Sequence, residues 1–410
     1  MANRVVVTGT GSITPLGLNT NESWTAIKDG KLGISQITSF NVDQSPVKIA
    51  AEVMNFDPAE ILGKKDARRL DRFSQFACIS ALEALEQSGV DLASEDATRF
   101  SSIIGSGVGG IMTLSEQYDV LAEKGATKVS PFLIPMMLPD MASGNVSMKL
   151  GAKGVNFSPV TACATGSDSI GMAYNLIKNG DIDMAIAGGA EAAVCPIALA
   201  GFFACRALST NPDPKTACRP FDKDRDGFIL GEGAGLLFLE SFEHADSRNA
   251  NILAEVIGYG ATSDAFHITQ PSPGGEGAAR AMNIALSDAE ISYEAVDYVN
   301  AHGTSTALND KFETLSMKSV FNDYANKIPI SSTKSMTGHL LGAAGGVEAV
   351  LCVQSISDGV APPTINYSTP DEDCDLDYIP NEARSLDLEI AMSNNLGFGG
   401  HNASLIFKKI

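Results

Sequence analysis

The chain alternates short apolar runs with segments whose apolar residues recur every three to four positions. Helical periodicity predicts helices over residues 73–87, 167–178, 277–286 and 346–357. Short apolar or β-branched runs predict buried strands over residues 5–8, 102–104, 184–187, 236–239, 296–300 and 328–331. Strands that alternate with helices in this way are typical of an α/β fold, in which helices cover central sheets.

Two stretches of similar design predict that the chain consists of two related halves. In each, a long helix begins among small residues and ends at a glycine, Gly180 in the first and Gly359 in the second. Cys163 precedes the first helix and His339 precedes the second. We place the boundary near residue 250, which gives halves of 1–250 and 251–410. We expect them to pack tightly, because no low-complexity linker separates them.

The composition excludes several classes of protein. Of the 410 residues, 44% are hydrophobic and 19% are charged, so the chain has enough apolar material for a large core and is not disordered. The net charge of −20 excludes a general nucleic-acid surface, which needs a strong positive field. The most apolar stretch, residues 184–205, is interrupted by Glu191, Pro196 and three glycines, so it predicts a buried core segment and no membrane span.

The seven cysteines predict a reducing compartment. Their number is odd and no pair has C-x-x-C spacing, which argues against a disulfide framework or a zinc ribbon. The N-terminal sequence lacks a basic region followed by an apolar region, so no secretory signal is visible. We therefore expect a cytoplasmic protein.

Two short motifs match well-known binding patterns only in part. G-S-G-V-G-G at residues 105–110 matches a dinucleotide turn, but the acidic residue expected about 20 positions later should end a strand, and Glu123 lies in a helical pattern. D-K-D-R-D-G at residues 222–227 begins like a calcium loop, but Gly233 occupies the twelfth position, where that loop needs Glu. We interpret the first as a strand-to-helix turn and the second as a hydrogen-bonded turn before a core strand.

Cys163 differs from the other cysteines in its local sequence. It lies in T-A-C-A-T-G-S, between an extended segment and a helix, where the helix dipole and free N–H groups stabilise a thiolate. A buried structural thiol is the alternative. Cys78 and Cys352, by contrast, lie on apolar helix faces, and we interpret both as core residues.

Two of the five histidines lie in turns that follow strands. His302 is in N-A-H-G-T-S-T, and His339 is in S-S-T-K-S-M-T-G-H-L-L-G-A-A-G, with Lys334 close by. Such turns are where open α/β sheets place ligands. Neither histidine has the H-x-x-E or H-E-x-x-H pattern of a metal site, so we predict no metal centre.

One thiol and two imidazoles suit a particular kind of chemistry. A Cys–His pair alone suits hydrolysis or simple acyl transfer. A second His adds an N–H donor, and two donors can hold the enolate oxygen that forms when a malonyl thioester loses carbon dioxide. Because decarboxylation itself creates the carbanion, carbon–carbon bond formation then needs no external base.

Together these motifs resemble the β-ketoacyl-acyl-carrier-protein synthases of fatty-acid synthesis, and most closely the type II elongating enzymes. The resemblance rests on the Cys163, His302 and His339 segments, R-P-F-D-K-D-R-D-G-F-I-L-G-E-G-A-G and N-N-L-G-F-G-G-H-N, and it covers essentially the whole chain. Initiating synthases instead pair Cys with His and Asn. The resemblance implies a thiolase-like fold of two similar α/β halves in a five-layered αβαβα arrangement. It also implies a homodimer that works with acyl carrier protein, without a cofactor, and it allows a structural monovalent cation.

The resemblance implies a role for each matching residue. Cys163 is the acylated nucleophile, His302 and His339 bind the malonyl thioester carbonyl and promote decarboxylation, and Lys334 supports the histidines. Phe398 is the gate, and its backbone N–H forms an oxyanion hole with that of Cys163. The other implied positions are Thr304 and Thr306 for the pantetheine arm, Gly399 for substrate beside the gate, Val108 in the acyl pocket, and Glu348 and Asp310 in an inner polar network.

Carrier proteins of this family are acidic, so a chain with a charge of −20 needs a local basic patch to attract one. I-L-G-K-K-D-A-R-R-L-D-R predicts such a patch as a stripe on one helix, and a solvated helix face paired with Asp66 and Asp71 is the alternative. The predicted docking residues are Lys64, Lys65, Arg68 and Arg69, with Arg206 at a further contact position.

Two positions depart from the pattern of the resembling family. His401 stands where many bacterial members have Thr, and it adds a titratable group near the gate. Val108 stands where elongating type II enzymes often have the larger Ile.

Two other functions fit parts of the pattern. A chain-length factor of a polyketide system shares the fold but lacks the nucleophilic Cys, which is present here as Cys163. A thiolase would need a second Cys in a C-x-G context near the C-terminus, where this chain has G-F-G-G-H-N and places Cys374 in an acidic turn.

Overall fold

Strands and helices alternate along residues 2–410, which are the part of the chain described by this computed structural model. The strands are β1 (Val5–Ile13), β2 (Ser35–Gln36), β3 (Ile49–Ala50), β4 (Phe100–Gly105), β5 (Asn156–Phe157), β6 (Met184–Glu191), β7 (Gly233–Ser241), β8 (Ala254–Ser263), β9 (Tyr298–Asn300), β10 (Ile330–Ser331), β11 (Val360–Ala361), β12 (Arg384–Ser385), β13 (Ile390–Gly397) and β14 (His401–Lys408). The α-helices are α1 (Thr20–Lys28), α2 (Pro58–Leu62), α3 (Lys64–Ala67), α4 (Arg72–Ser88), α5 (Ile111–Lys124), α6 (Leu133–Met137), α7 (Met141–Leu150), α8 (Thr165–Lys178), α9 (Pro196–Ala204), α10 (Pro214–Ala217), α11 (Phe242–Ser247), α12 (Glu276–Asp288), α13 (Ala307–Phe321), α14 (Lys334–Thr337) and α15 (Ala344–Asp358).

Ten of the strands form one sheet that is built from two similar units. The order is β10-β9-β13-β14-β8-β1-β7-β6-β4-β5, and a short antiparallel pairing of β1 with β8 joins the two sets of five. Each set has the same directions: β4 is parallel to β5 and β6, as β9 is to β10 and β13, and the remaining pairs are antiparallel. The predicted boundary near residue 250 falls in the loop between α11 and β8.

Helices α8 and α15 form the central layer, and each contacts strands of both five-stranded sets. Helices α4 and α7 cover the outer face of one set, and α12, backed by α13, covers the outer face of the other. The central helices approach closely because small residues face each other: a Cβ on Gly166 would lie 2.4 Å from the backbone N of Gly346. The predicted α/β fold with five layers is therefore confirmed, and the pairing of β1 with β8 joins the two five-stranded sets at one edge.

Every predicted strand and helix overlaps an observed one, but the sequence pattern missed several strands. β1 continues past residue 8 to Ile13, through a Thr-Gly alternation that carries little apolar signal. β13 was missed because it buries polar side chains, among them Asn394 and Asn395. Among residues 2–410, no helix is both long and apolar enough to cross a membrane.

Candidate active site

Three loops at one edge of the central layer bring a thiol and two imidazoles together. Cys163 lies in a short 3₁₀ turn that leads into α8, His302 follows β9, and His339 follows α14 and leads into α15. One ligand atom from each of the three side chains lies within 4.8 Å of the others, and all three residues are buried. The two imidazole rings meet edge to face, with their centroids 5.3 Å apart.

The Cys163 thiol is buried and surrounded by polar hydrogens. The residue is 8% exposed, and the backbone N–H of Phe398, in the turn between β13 and β14, lies near enough to its sulfur to lower the pKa of the thiol. Burial raises the pKa of the Cys163 thiol to about 12, although the positive charge of Lys334 and the Phe398 N–H act in the opposite direction. Stabilisation of a Cys163 thiolate by the helix N-terminus remains a prediction, and burial acts against it in the resting site.

The imidazole of His339 is fixed in one tautomer. The backbone N–H of Leu341 donates to Nδ1 at 3.3 Å, so the ring proton is on Nε2, which lies 3.0 Å from the Cys163 sulfur. Burial, followed by the charge of Lys334, holds the pKa of His339 well below its usual value. His339 is thus a neutral N–H donor that points at the thiol.

His302 is held by its backbone and leaves its ring free to bind. A carboxylate on α13, that of Glu313, accepts the backbone N–H groups of His302 and Gly303, both at 2.7 Å. Within residues 2–410, the buried Nδ1 of His302 has no hydrogen-bond partner. Burial, then Lys334 and His339, holds the pKa of His302 well below its usual value, so this ring is also neutral at pH 7.

Lys334 lies behind the histidines in a buried ion pair. Its Nζ is 2.5 Å from Oε1 of Glu348, and the two side chains are 1% and 3% exposed. Asn395 donates to the other carboxylate oxygen at 2.7 Å, and Ser167 of α8 donates to Asn395 at 2.6 Å. The resulting chain of polar contacts joins α15, β13 and α8 beneath the site.

A cavity of about 570 Å³ opens onto the three reactive side chains. Its wall is partly apolar, with Phe202, Phe228 and Leu341 among the lining residues. The predicted site residues that line it are Cys163, His302, His339, Thr304, Thr306, Val108, Phe398 and Arg206. The structure therefore brings together residues that are separated by more than half of the chain.

Two predicted site residues do not line this cavity. Lys334 is enclosed by its ion pair with Glu348. Gly399 is exposed at the tip of the turn between β13 and β14, with a φ of 85°, and its N–H donates to the carbonyl of Ile268 at 2.8 Å. A direct substrate contact by Gly399 remains a prediction, and its observed contact instead fixes the turn that carries Phe398.

The predicted docking residues are exposed but do not form a helical stripe. Lys64 and Lys65 lie on α3, which ends at Ala67, so Arg68 and Arg69 lie beyond the helix. The helix is short because Gly63 before it has a φ of 81° and Asp71 begins α4 as its N-cap. Lys64 and Arg68 nevertheless line one shallow pocket, so the charges remain clustered.

Sequence reasoning missed two buried carboxylates that shape the site, Glu191 and Glu313. Both are nearly inaccessible, and burial raises the pKa of each to about 7. Glu191 had one sequence signal, since a single acidic residue in the apolar stretch 184–205 must find buried hydrogen-bond donors. Glu313 had none, because its partners are backbone N–H groups ten and eleven residues away.

The motif at residues 222–227 ties together the loops around the cavity. The Asp222 carboxylate accepts backbone N–H groups from Ser368 and Thr369, each at 2.7 Å. Arg225 pairs with Asp371 at 2.5 Å and donates to the carbonyl of Thr306. These contacts fit the interpretation as a hydrogen-bonded turn, because the Asp222 and Arg225 side chains bond to other protein groups. In a calcium loop, the carboxylate oxygens would instead coordinate the ion.

The thiolase alternative needs a second thiol at the site. Cys374 is buried in an apolar cluster with Met317, Phe321 and Tyr378, and it does not line the cavity. Cys205 does line it, but this residue is exposed at the end of α9 and has no imidazole among its hydrogen-bond partners in the described chain. The geometry therefore provides one thiol beside the histidines.

The chain matches two domains of a known protein family. Residues 2–245 match the family described as "Beta-ketoacyl synthase, N-terminal domain", and residues 253–368 match "Beta-ketoacyl synthase, C-terminal domain". The chain belongs to the β-ketoacyl synthase family. The resemblance drawn from the Cys163, His302 and His339 segments is thereby confirmed.

The similarity to named relatives extends over nearly the whole chain. A protein of Staphylococcus aureus named 3-oxoacyl-[acyl-carrier-protein] synthase 2 is 51% identical over 406 residues, which cover 99% of this chain and 98% of that one. A protein of the same name from Coxiella burnetii is 50% identical over 408 residues, with 99% of each chain covered.

Solved structures of β-ketoacyl synthases have the same fold. A β-ketoacyl synthase from Burkholderia phymatum superposes with a TM-score of 0.92 at 38% identity, with both chains fully covered. A type II PKS acyl-carrier protein in complex with its ketosynthase bound to the hexaketide provides another match, with a TM-score of 0.92, 34% identity and full coverage of both chains.

Proposed function

We propose that this β-ketoacyl synthase condenses an acyl chain with a malonyl group carried on acyl carrier protein, as an elongating enzyme of fatty-acid synthesis. The observation that carries the proposal is the meeting of one thiol with two neutral imidazoles at the wall of a 570 Å³ cavity. The names of relatives that are 50% and 51% identical over nearly the whole chain support the same activity.

The first half-reaction loads the acyl chain onto Cys163. The sulfur attacks the thioester carbonyl, the bond to the pantetheine sulfur breaks, and the thiol proton passes to the departing pantetheine thiolate. The backbone N–H groups of Phe398 and Cys163 are proposed to hold the carbonyl oxygen, and the influence of the Phe398 N–H on the pKa of the thiol supports this role. Since burial raises the pKa of the resting thiol, its proton leaves during the reaction and not before it.

The second half-reaction uses the two histidines. The malonyl group loses carbon dioxide, and the electron pair moves onto the thioester oxygen as an enolate. His302 and His339 are neutral, so each supplies one N–H donor to that oxygen without bringing a charge. The enolate carbon attacks the acyl–Cys163 carbonyl, and the released thiolate of Cys163 takes a proton from solvent.

The proposed role of Lys334 is electrostatic positioning. Its charge lowers the pKa of both histidines and of the Cys163 thiol, while its own Nζ is held by Glu348. Thr304 and Thr306, whose hydroxyls are 2.9 Å apart in the cavity wall, are proposed to bind the pantetheine arm. Val108 is proposed to border the acyl chain.

Acyl carrier protein is the proposed partner at the exposed basic residues. Arg206 borders the cavity mouth, so a carrier seated there places its pantetheine arm toward the thiol. Lys64, Lys65, Arg68 and Arg69 add a cluster of four positive charges on a protein of net charge −20. A local patch of this kind can steer an acidic partner despite overall repulsion.

A second copy of the chain is proposed to cover the face formed by α5, α6, α7 and β5. β5 is the last strand of the ten-stranded sheet, and an unpaired edge favours strand addition. Large apolar side chains are exposed on the same face, including Tyr118 at 68%, Ile134 at 59% and Met148 at 70%. Sedimentation equilibrium tests the homodimer, which Tyr118→Arg should weaken.

A buried site for a monovalent cation is proposed beside β9. The Asn300 side chain is fully buried, and neither its oxygen nor its nitrogen has a partner among residues 2–410. Ser393 of β13 pairs with Asn300 in register, and an oxygen-rich environment of this kind fits a hard cation. A higher melting temperature in potassium chloride than in choline chloride, lost in Asn300→Leu, would support it.

The cytoplasmic location also remains a proposal, and the seven free thiols support it because a reducing compartment preserves them.

The assay that tests the proposed function combines the purified protein with an acyl carrier primer and malonyl carrier. We expect one β-ketoacyl product for each carbon dioxide released. Thiolytic cleavage with coenzyme A, or binding of the carriers without any acyl–enzyme, would instead favour a thiolase or a catalytically idle partner.

A further inference from the structure

Glu191 connects two turns that lie in different halves of the chain, at residues 106–108 and 341–342. It is the last residue of β6 and is fully buried. Its Oε1 accepts from the Ser106 hydroxyl at 2.7 Å and from the Val108 N–H at 3.3 Å. Its Oε2 accepts from the N–H groups of Gly107 at 2.7 Å and Gly342 at 3.1 Å. All four donors are neutral dipoles, and together they can stabilise one buried carboxylate.

Both turns reach reactive parts of the cavity. The first carries Val108, which lines the wall. The second carries Leu341, whose N–H fixes the tautomer of His339 and which precedes Gly342 directly in the chain. Leu341 has a φ of 49°, an unfavourable conformation for a residue with a side chain, so the surrounding contacts must hold it.

The two turns are too close for any residue except glycine at the contact. A Cβ on Gly342 would lie 2.3 Å from the Gly107 nitrogen and 2.8 Å from the Glu191 carboxylate. The Glu191 carboxylate lies between the two backbone segments and accepts an N–H group from each. Without an acceptor there, those N–H groups would be buried and unpaired, which is unfavourable.

We propose that Glu191 is a positioning residue, which as a carboxylate holds the Leu341 turn so that His339 keeps its proton on Nε2 for the malonyl carbonyl. This inference rests on the proposed condensing function. A protonated carboxyl or an amide turns a donor toward one of the backbone N–H groups. The Leu341 turn then shifts, and the hydrogen bond to Nδ1 that selects the tautomer is weakened.

The protonation state of Glu191 gives the proposal a distinctive signature. Burial raises the pKa of Glu191 to about 7, whereas its four hydrogen bonds act in the opposite direction. The titratable groups that face this part of the site are the Cys163 thiol, with a pKa raised to about 12, and His339 and His302, with pKa values well below 6.5. The Glu313 carboxylate, which holds the His302 backbone, also has its pKa raised to about 7 by burial. Behind them lies the Lys334–Glu348 pair, and burial also raises the pKa of Glu348.

The test measures malonyl-carrier decarboxylation from pH 5.5 to 8.5. In the wild type, we expect the rate to fall as the pH drops through about 7, because Glu191 takes up a proton. Glu191→Gln should lower the rate at pH 8 by about tenfold or more, a part of the loss expected for removing one oxyanion donor. It should also shrink the acid limb of the profile, leaving only the part that protonation of Glu313 contributes.

A milder variant and a matched control sharpen the test. Ser106→Ala removes one donor to the carboxylate, so it should move the acid limb to higher pH while the rate at pH 8.5 stays near the wild-type value. Glu83→Gln replaces a partly buried carboxylate that accepts two backbone N–H groups, those of Ser12 and Thr20, and it should leave the profile unchanged.

The outcomes separate this proposal from the proposed function. Wild-type acylation of Cys163 and decarboxylation of malonyl carrier test the function itself. If both occur but Glu191→Gln keeps the wild-type acid limb, or Ser106→Ala leaves its midpoint unmoved, the role of Glu191 is wrong. If Glu191→Gln fails to fold, the shift in Ser106→Ala decides the question alone.

Discussion

The two five-stranded units of the sheet have the same strand order, yet they contribute different chemistry to the cavity. The first unit provides the thiol, at the start of α8, and the apolar wall that includes Val108 and Phe202. The second provides both imidazoles and, through Lys334 and Glu348, a buried ion pair behind them. Under the proposed function, one scaffold therefore divides the reaction: the first unit holds the acyl chain, and the second stabilises the developing charge.

Removal of the Cys163 thiol should abolish the contribution of the first unit to the reaction. Cys163→Ala leaves no sulfur to carry the acyl chain, so we expect condensation to fall below detection. Peptide mass spectrometry of the wild type after incubation with acyl carrier should place the acyl group on the peptide that contains Cys163. An adduct on the exposed Cys205 instead would overturn the assignment.

Removal of the buried Lys334 charge should destabilise the second five-stranded unit. Lys334→Met leaves the Glu348 carboxylate buried without its cation, and breaking a buried pair in this way costs about 3–5 kcal/mol. We expect a marked drop in melting temperature by calorimetry. The double variant Lys334→Met/Glu348→Gln removes both charges and should recover part of the loss, and no recovery would mean that the pair is not the cause.

Reversal of the basic cluster should affect encounter with the carrier and leave the chemistry of both sides intact. Lys65→Glu/Arg69→Glu should raise KM for acyl-carrier substrates several-fold, because exposed charges steer association. It should barely change reaction with small pantetheine thioesters. The effect should shrink with added salt, since screening acts over about 10 Å at 0.1 M.

The matched control for that reversal is Lys327→Glu, which changes an exposed lysine that does not line the cavity. Equal losses with carrier and small-thioester substrates would mean that the basic cluster is structural.

The smallest expected effect concerns a buried charge network far from the cavity. His244 lies 2.6 Å from Glu240 and 3.0 Å from Glu95, and the hydrogen bond to Glu240 is the main cause that raises the pKa of His244 to about 9. A raised histidine pKa stabilises the fold fully below about pH 6.5, and this stability is lost as the pH rises through about 9.

Between pH 7.5 and 10, the melting temperature of the wild type should therefore fall by more than that of His244→Gln. Parallel pH profiles of the two proteins would contradict the assignment. The local sequence of His244 is polar, but its side chain is only 18% exposed and it pairs with the fully buried Glu240.

The reactive side chains could be predicted because each lies in a continuous motif at a strand end or helix start, as Cys163, His302 and His339 do. Glu313 could not, since its partners are backbone N–H groups brought close only by folding. For Glu191, the apolar stretch around it signals burial, but its partners in other segments could not be predicted. The burial that raises the pKa of Cys163 could not be predicted for a similar reason, because local sequence shows the helix start but not the burial. Likewise, periodicity over residues 64–72 predicted a helical stripe, and Gly63 and Asp71 divide it.

The most direct test of the divided site measures the two half-reactions separately in His302→Ala and His339→Ala. The account predicts that malonyl decarboxylation falls by about 10²–10³, the loss expected for one oxyanion donor, while acylation of Cys163 falls much less. A variant that lost acylation but kept wild-type decarboxylation would contradict it, because the histidines would then serve the thiol and not the enolate.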